Sequence, residues 1–181
     1  MSDILGAALA ERVHRLTDPG SLVVTTPVTS VPRDILEGIR EALLAGETHY
    51  TARPGIPELR ARVAERLDFA GRTGEEVVIT SGEREALFVA RLALGLDPLS
   101  LGKSASIVVL GAEPFGRDLG PLPPATTYVG SLDGLPGLAT FRVGFVCAAK
   151  ELTPKIRGWK QALSICAPAP SQRAALLALS R

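Results

Sequence analysis

The sequence predicts an α/β fold, and two observations carry that reading. Val77-Val78-Ile79-Thr80 and Ile107-Val108-Val109-Leu110 are short, apolar and β-branched, the make-up of buried strands. Around them, apolar residues recur at helical spacing, so helices and strands alternate. With 181 residues, 46% of them apolar, the chain can bury one sizeable core and reads as a single domain.

Taken in order, Ile4, Leu5, Ala8, Leu9 and Val13 predict a helix over residues 3–16, stopped by Asp18-Pro19-Gly20. Leu22-Val23-Val24 is a short extended piece leading to Pro27 and Pro32. Ile35, Ile39 and Leu43 form one stripe of a helix that begins near Asp34, read as its N-cap, and ends at Gly46. After a turn at Pro54-Gly55, a second amphipathic helix starts at Pro57, where a missing amide is tolerated. It places Leu59, Val63 and Leu67 inward and Arg60, Arg62 and Arg66 outward.

Residues 70–76 read as a polar turn before the first strand, which breaks at Ser81-Gly82. Ala86, Val89, Ala90 and Ala93 line the following helix. A loop over residues 98–102 precedes the second strand, and a proline-rich link, Pro121 to Pro124, leads to Thr127-Tyr128-Val129. Val143 to Ala148 and helices around Trp159 and from Gln172 to Leu179 complete the pattern.

Charge and cysteine usage narrow the function. Lys and Arg number 20 against 19 Asp and Glu, without a basic block, so nucleic-acid binding has no electrostatic support. Cys147 and Cys166 lack metal-ligand spacing and read as two reduced core thiols of a cytoplasmic protein. Asp3 and Glu11 interrupt the N-terminal apolar pattern, and neither a signal peptide nor a membrane span is expected. Any lysine chemistry must use Lys103, Lys150, Lys155 or Lys160.

The motifs run from Tyr50, with Gly55 five residues on, through the helix start Pro57-Glu58-Leu59-Arg60 to the strand–glycine turn–helix at Val77 to Leu87. An answering segment runs from Ser131-Leu132-Asp133-Gly134 to Arg142-Val143-Gly144-Phe145. Together they resemble the class I/II aminotransferases of the fold-type-I pyridoxal phosphate (PLP) family. The resemblance implies a three-layer remnant of that family's large domain, a mixed sheet of about four strands with helices on both faces. Residues 1–46 would be the N-terminal segment and residues 47–181 a reduced large domain, with the C-terminal small domain absent.

The family's strands stand in the order first, seventh, sixth, fourth, fifth, second, third. This chain matches the first (77–80), second (107–110), sixth (127–130) and seventh (142–147). The interval from Phe115 to Ser131 is short where the family carries its third to fifth strands. The resemblance therefore implies the order first, seventh, sixth, second, with the seventh strand antiparallel. In the family the arginine at Arg60 ties its helix to the rest of the domain.

At the site, the family's Schiff-base lysine falls on Gly134, so no catalytic residue is expected and no covalent Schiff base. Asp133 beside it cannot form an imine, and Lys103 and Lys150 read as surface residues. The aspartate that pairs with the cofactor's pyridine nitrogen has no counterpart. The resemblance does place a phosphate cup on Ser131 and Arg142, with Ser81-Gly82 opening a helix toward the anion. Tyr50 would reach the cup from a second subunit, and Glu83 would repel phosphate at that helix end.

Cofactor-binding candidates are thus Tyr50, Ser81, Gly82, Ser131 and Arg142. The ligand would be PLP or another phosphate-bearing small molecule, with no metal. Their other reading is structural, with Arg142 paired to a carboxylate and Tyr50 packed at an interface. A homodimer, or a heterodimer with an intact relative, is implied. Two functions stay open: a catalytically degenerate scaffold or partner subunit, and a minimal PLP-dependent aminotransferase for an amino acid/2-oxo acid pair, completed by a partner.

Overall fold

The computed structural model describes residues 30–68, 71–100, 103–116 and 123–181. The expected helix over residues 3–16 and the extended piece Leu22–Val24 lie outside them. In chain order the described elements are α1 (Arg33–Leu44), α2 (Pro57–Arg66), β1 (Val77–Thr80), α3 (Glu83–Ala93), β2 (Ile107–Gly111), β3 (Thr127–Ser131), β4 (Gly144–Cys147), α4 (Thr153–Ser164) and α5 (Ala169–Leu179).

The sheet order is β1-β4-β3-β2, the contracted order that the family resemblance implies. β4 pairs antiparallel with both β1 and β3, while β2 and β3 run parallel. Hence β1, β2 and β3 all point the same way and their C-terminal ends share one rim. Pleating sends alternate residues to opposite faces. Val77, Ile79, Leu110, Tyr128, Phe145 and Cys147 enter a core shared with α1, α2 and α5. Val78, Ile107, Val129 and Val146 enter a second core beneath α3, joined by Ile156 of α4. Helices on both faces are thus observed. Cover is incomplete at the β2 margin, where Val109 is 47% exposed.

Three local expectations need correction. Asp34 is not the N-cap of α1. Pro32 holds that place, its backbone extended and its carbonyl accepting the Ile35 and Leu36 amides at 3.1 Å. Asp34 sits in the first turn, where a carboxylate complements the helix dipole, and pairs with Arg181. The fourth strand begins at Gly144 rather than Arg142, because Arg142 is left-handed (φ 49°, ψ 56°) and turns the chain into the strand. Cys147 is a core thiol, pushed up to about 11 chiefly by burial, but Cys166 is partly exposed beside a surface cavity.

The inward stripe of α2 is as expected: Leu59, Val63 and Leu67 are fully buried. Arg60 is the buried exception, donating to the Gly74 carbonyl at 2.9 Å and to Glu75 at 3.1 Å. It thereby fastens α2 to the turn that launches β1. Among the described residues, no helix is long and apolar enough to cross a membrane.

Candidate functional site

The rim where β1, β2 and β3 end is the place to look for chemistry, as in open α/β sheets generally. Four short segments meet there. Thr80 donates from its hydroxyl to the Gly82 carbonyl at 3.0 Å and fixes the exit of β1. The Leu132 amide donates to the Val143 carbonyl at 2.8 Å, and the Gly134 amide to the Ala112 carbonyl at 3.1 Å. Gly144 lies so close to the β1 exit that a Cβ there would stand 2.8 Å from the Glu83 nitrogen. Gly82 itself has φ +87°, a conformation that favours glycine, and presents α3 to the rim.

Of the five candidate binding residues, this geometry gathers Gly82, Ser131 and Arg142. Ser131 is buried at the end of β3. The Arg142 guanidinium is the near neighbour of Gly82, with Nη2 3.9 Å from where a Cβ on Gly82 would lie. Arg142 holds its left-handed backbone at a cost of about 1 kcal/mol, the kind of outlier that clusters at ligand sites. Ser81 flanks the rim, but its amide is already used: it donates to Glu85 Oε2 at 2.5 Å. The helix start is therefore partly capped by its own third residue. Tyr50 is not brought to the rim. It is 75% exposed and lines a separate cavity of about 560 Å³ with His49, Cys166 and Pro168.

Two carboxylates also face the rim. Glu83, the first residue of α3, is half-buried. Burial, and after it the nearby Asp133 charge, pushes Glu83 above the usual carboxylate range, and the Gly111 amide opposes the rise. Asp133 is pushed up by burial as well, opposed by the Ser131 hydroxyl and the Arg142 guanidinium. Its Oδ1 is buried without a hydrogen-bond partner.

Does this rim fit PLP? A phosphate would meet two carboxylates and one guanidinium, and buried carboxylates repel an added anion strongly. The lysine position is closed by backbone. A Cβ on Gly134 would collide with the Ala112 carbonyl oxygen and lie 3.0 Å from both its carbon and Glu113 Cγ. The contraction of the sheet explains the collision. With β2 directly beside β3, the turn leaving β2 lands on the segment leaving β3. A lysine-anchored cofactor does not fit these residues, and no catalytic step is derived through one.

Two buried polar residues escaped the sequence reading. Lys160 of α4 is 0% exposed. Its Nζ donates to Ser164 Oγ at 2.6 Å and lies 3.4 Å from Glu85 Oε1. Ser164 donates in turn to that same oxygen. The chain Lys160–Ser164–Glu85–Ser81 therefore runs from beneath α4 to the rim. Its signal was a lysine four residues after Ile156, on the apolar stripe of α4. Gln172 is the other, accepting from the Ile56 amide and donating to Thr51 Oγ1 and the Ala167 carbonyl, all at 2.8 Å. It braces the loop that follows Tyr50.

Comparison with known proteins gives these features a context. No family model matches the chain. An aspartate aminotransferase of Pyrococcus horikoshii is 40% identical over 85 residues, 45% of this chain and 22% of that enzyme. One from Thermococcus kodakarensis is 37% identical over 108 residues, 60% of this chain and 29% of the enzyme. The chain thus spans under a third of the length of these curated relatives. Among solved structures, the aspartate aminotransferases of Rhizobium meliloti and Thermotoga maritima each superpose with a TM-score of 0.68 at 16% identity. Each match covers 97% of this chain, and 68% and 71% of the respective enzyme chains, which shows a shared fold.

Proposed function

Because the chain is related to the class I/II aminotransferases in sequence and shares their fold, we propose that it acts as a catalytically degenerate scaffold. It would pair with a second copy of itself or with an intact aminotransferase. The carrying observation is the Ala112 carbonyl packed into the space a lysine at position 134 would need. Loss of the amine alone could be repaired by another lysine nearby. Loss of the space as well argues that the site has passed to another use. Lys103, Lys150 and Lys155 stand exposed, and Lys160 is buried in its own ion pair.

The assembly part of the reading draws on exposed apolar side chains. Leu36 and Leu44 of α1, Trp159 and Leu163 of α4, and Tyr50 are each 40% exposed or more. Such surface in quantity marks interaction faces. Sedimentation at micromolar concentration is expected to show a dimer. A stable, soluble monomer that also ignores an intact aminotransferase would overturn it.

The chemical part is tested by incubation with PLP, borohydride reduction and peptide mapping. No lysine is expected to carry a pyridoxyl group at stoichiometric yield. A full adduct on Lys103, Lys150, Lys155 or Lys160 would instead support the second reading, a minimal aminotransferase for an amino acid/2-oxo acid pair completed by a partner. That reading is favoured by one observation, the retention of Ser131 and Arg142 at a single rim.

A further inference from the structure

We propose that Ser164 is a nucleophile for small activated carboxylic esters, with Glu85 as the base that takes its proton. The inference goes beyond the scaffold reading and is independent of it, because the chemistry uses no cofactor.

Ser164 ends α4 and is exposed, whereas its partners are not: Lys160 has no exposure, and the Glu85 side chain keeps only 17%. A hydroxyl has one proton and two acceptor lone pairs. The Ser164 proton goes to Glu85 Oε1, and the Lys160 carbonyl, at 3.5 Å, is the poorer acceptor. One lone pair accepts from Lys160 Nζ at 2.6 Å. The other is left for an electrophile. Glu85 is itself held in place, since its Oε2 accepts from the Ser81 amide at 2.5 Å. A nucleophile within hydrogen-bond reach of a base, and a base oriented by a third group, is the arrangement that activates a serine hydroxyl. The Lys160 ammonium touches the reacting oxygen and stabilises the negative charge that develops there.

The backbone at Ser164 is a second, separate observation. Ile165 stands at φ 59°, ψ −70°, and the Cys166 amide donates to the Ser164 carbonyl at 2.6 Å. This is a γ-turn of the strained, positive-φ kind, centred on a β-branched residue that seldom adopts it. Strained backbone of this sort clusters at functional sites. It ends α4 directly after Ser164 and leaves the hydroxyl at a corner of the chain. Ile165 is 43% exposed beside it, apolar surface suited to the acyl part of an ester.

In the first step Ser164 Oγ attacks the ester carbonyl carbon while its proton passes to Glu85 Oε1. The bond from that carbon to the alcohol oxygen breaks, and the alcohol leaves with the proton. Water then attacks the acyl-serine, again giving its proton to Glu85. Ser164 recovers that proton as the carboxylic acid departs.

The experiment treats the full chain with p-nitrophenyl acetate at neutral pH, follows p-nitrophenolate release and maps the acetyl group by peptide mass spectrometry. A stoichiometric burst is expected, with the acetyl group on Ser164. Ser164→Ala should lose the burst. Glu85→Gln should slow acylation about 100-fold, the scale of a general base, and Cys166→Ala should leave the burst unchanged. Acetylation confined to Cys166 or to lysines would overturn the inference, as would a burst that survives Ser164→Ala. So would a folded Glu85→Gln protein that reacts as fast as its parent. If either variant does not fold, the map of the starting protein decides, and an unlabelled Ser164 overturns the proposal. The scaffold reading fails on different results, a lysine-bound pyridoxyl group or a monomer that ignores an intact aminotransferase, and the ester assay does not depend on either.

Discussion

Restoring the missing lysine as Gly134→Lys is expected to destabilise the protein and to leave it without the yellow colour of a lysine-bound cofactor. Any side chain at this position meets the Ala112 carbonyl before it can extend toward the rim. The turn leaving β2 would have to move, and the Gly134–Ala112 hydrogen bond at 3.1 Å would go with it. Overpacking of this kind costs about 1–3 kcal/mol, and Gly134→Ala alone should show most of it, since the clash is at Cβ. Urea unfolding of Gly134→Ala and Gly134→Lys, with PLP absorbance of the latter, measures both effects. A Gly134→Lys protein as stable as its parent and yellow with PLP would show that the turn yields readily. The closure would then be an accident of the loop and not a consequence of the sheet.

That consequence shows how far this chain was legible from sequence. The strand runs at Val77–Thr80 and Ile107–Leu110 and the alanine-rich face of α3 are local patterns, and they appear where the residues place them. The sheet order was legible only through the family resemblance, because closing a gap between the second and sixth strands leaves one continuous arrangement. What sequence could not supply was the meeting of β2 and β3 at atomic range. Gly134 reads as a lost lysine in the sequence; in the fold it is a glycine required by a neighbouring carbonyl. Glu83 likewise reads in the sequence only as a residue that would repel an anion at the helix end. Its half-burial depends on segments distant in the chain, Asp133 after β3 among them. Lys160 was missed for a simpler reason, since a lysine is almost never fully buried unless paired. Its partners are Ser164, one helical turn away, and Glu85, from a different helix.

Lys160 therefore carries the second large prediction. Its Nζ has no exposure, while Glu85 keeps 17% of its side-chain surface in water. Removing the cation as Lys160→Met leaves the Glu85 carboxylate partly buried with only the Ser164 hydroxyl and the Ser81 amide to satisfy it. Breaking a buried pair from one side costs about 3–5 kcal/mol. Because Glu85 is partly solvated and keeps two hydrogen bonds, the lower end, about 3 kcal/mol, is expected for Lys160→Met. In a domain of this size that lowers the melting temperature by on the order of 10 °C. Adding Glu85→Gln to Lys160→Met should recover part of the loss, since neutralising both partners removes the stranded charge. The two single variants and the double variant form a cycle, and its coupling energy measures the pair directly. Salt should change that coupling little, because a buried pair is poorly screened. A Lys160→Met protein within about 1 kcal/mol of its parent, or a coupling that vanishes in salt, would mean that water reaches the pair. Lys160 would then be ordinary surface chemistry beneath α4. If the coupling is large, the lysine serves as the buried anchor of the Ser81–Gly82 turn, holding the start of α3 at the rim where Glu83 lies.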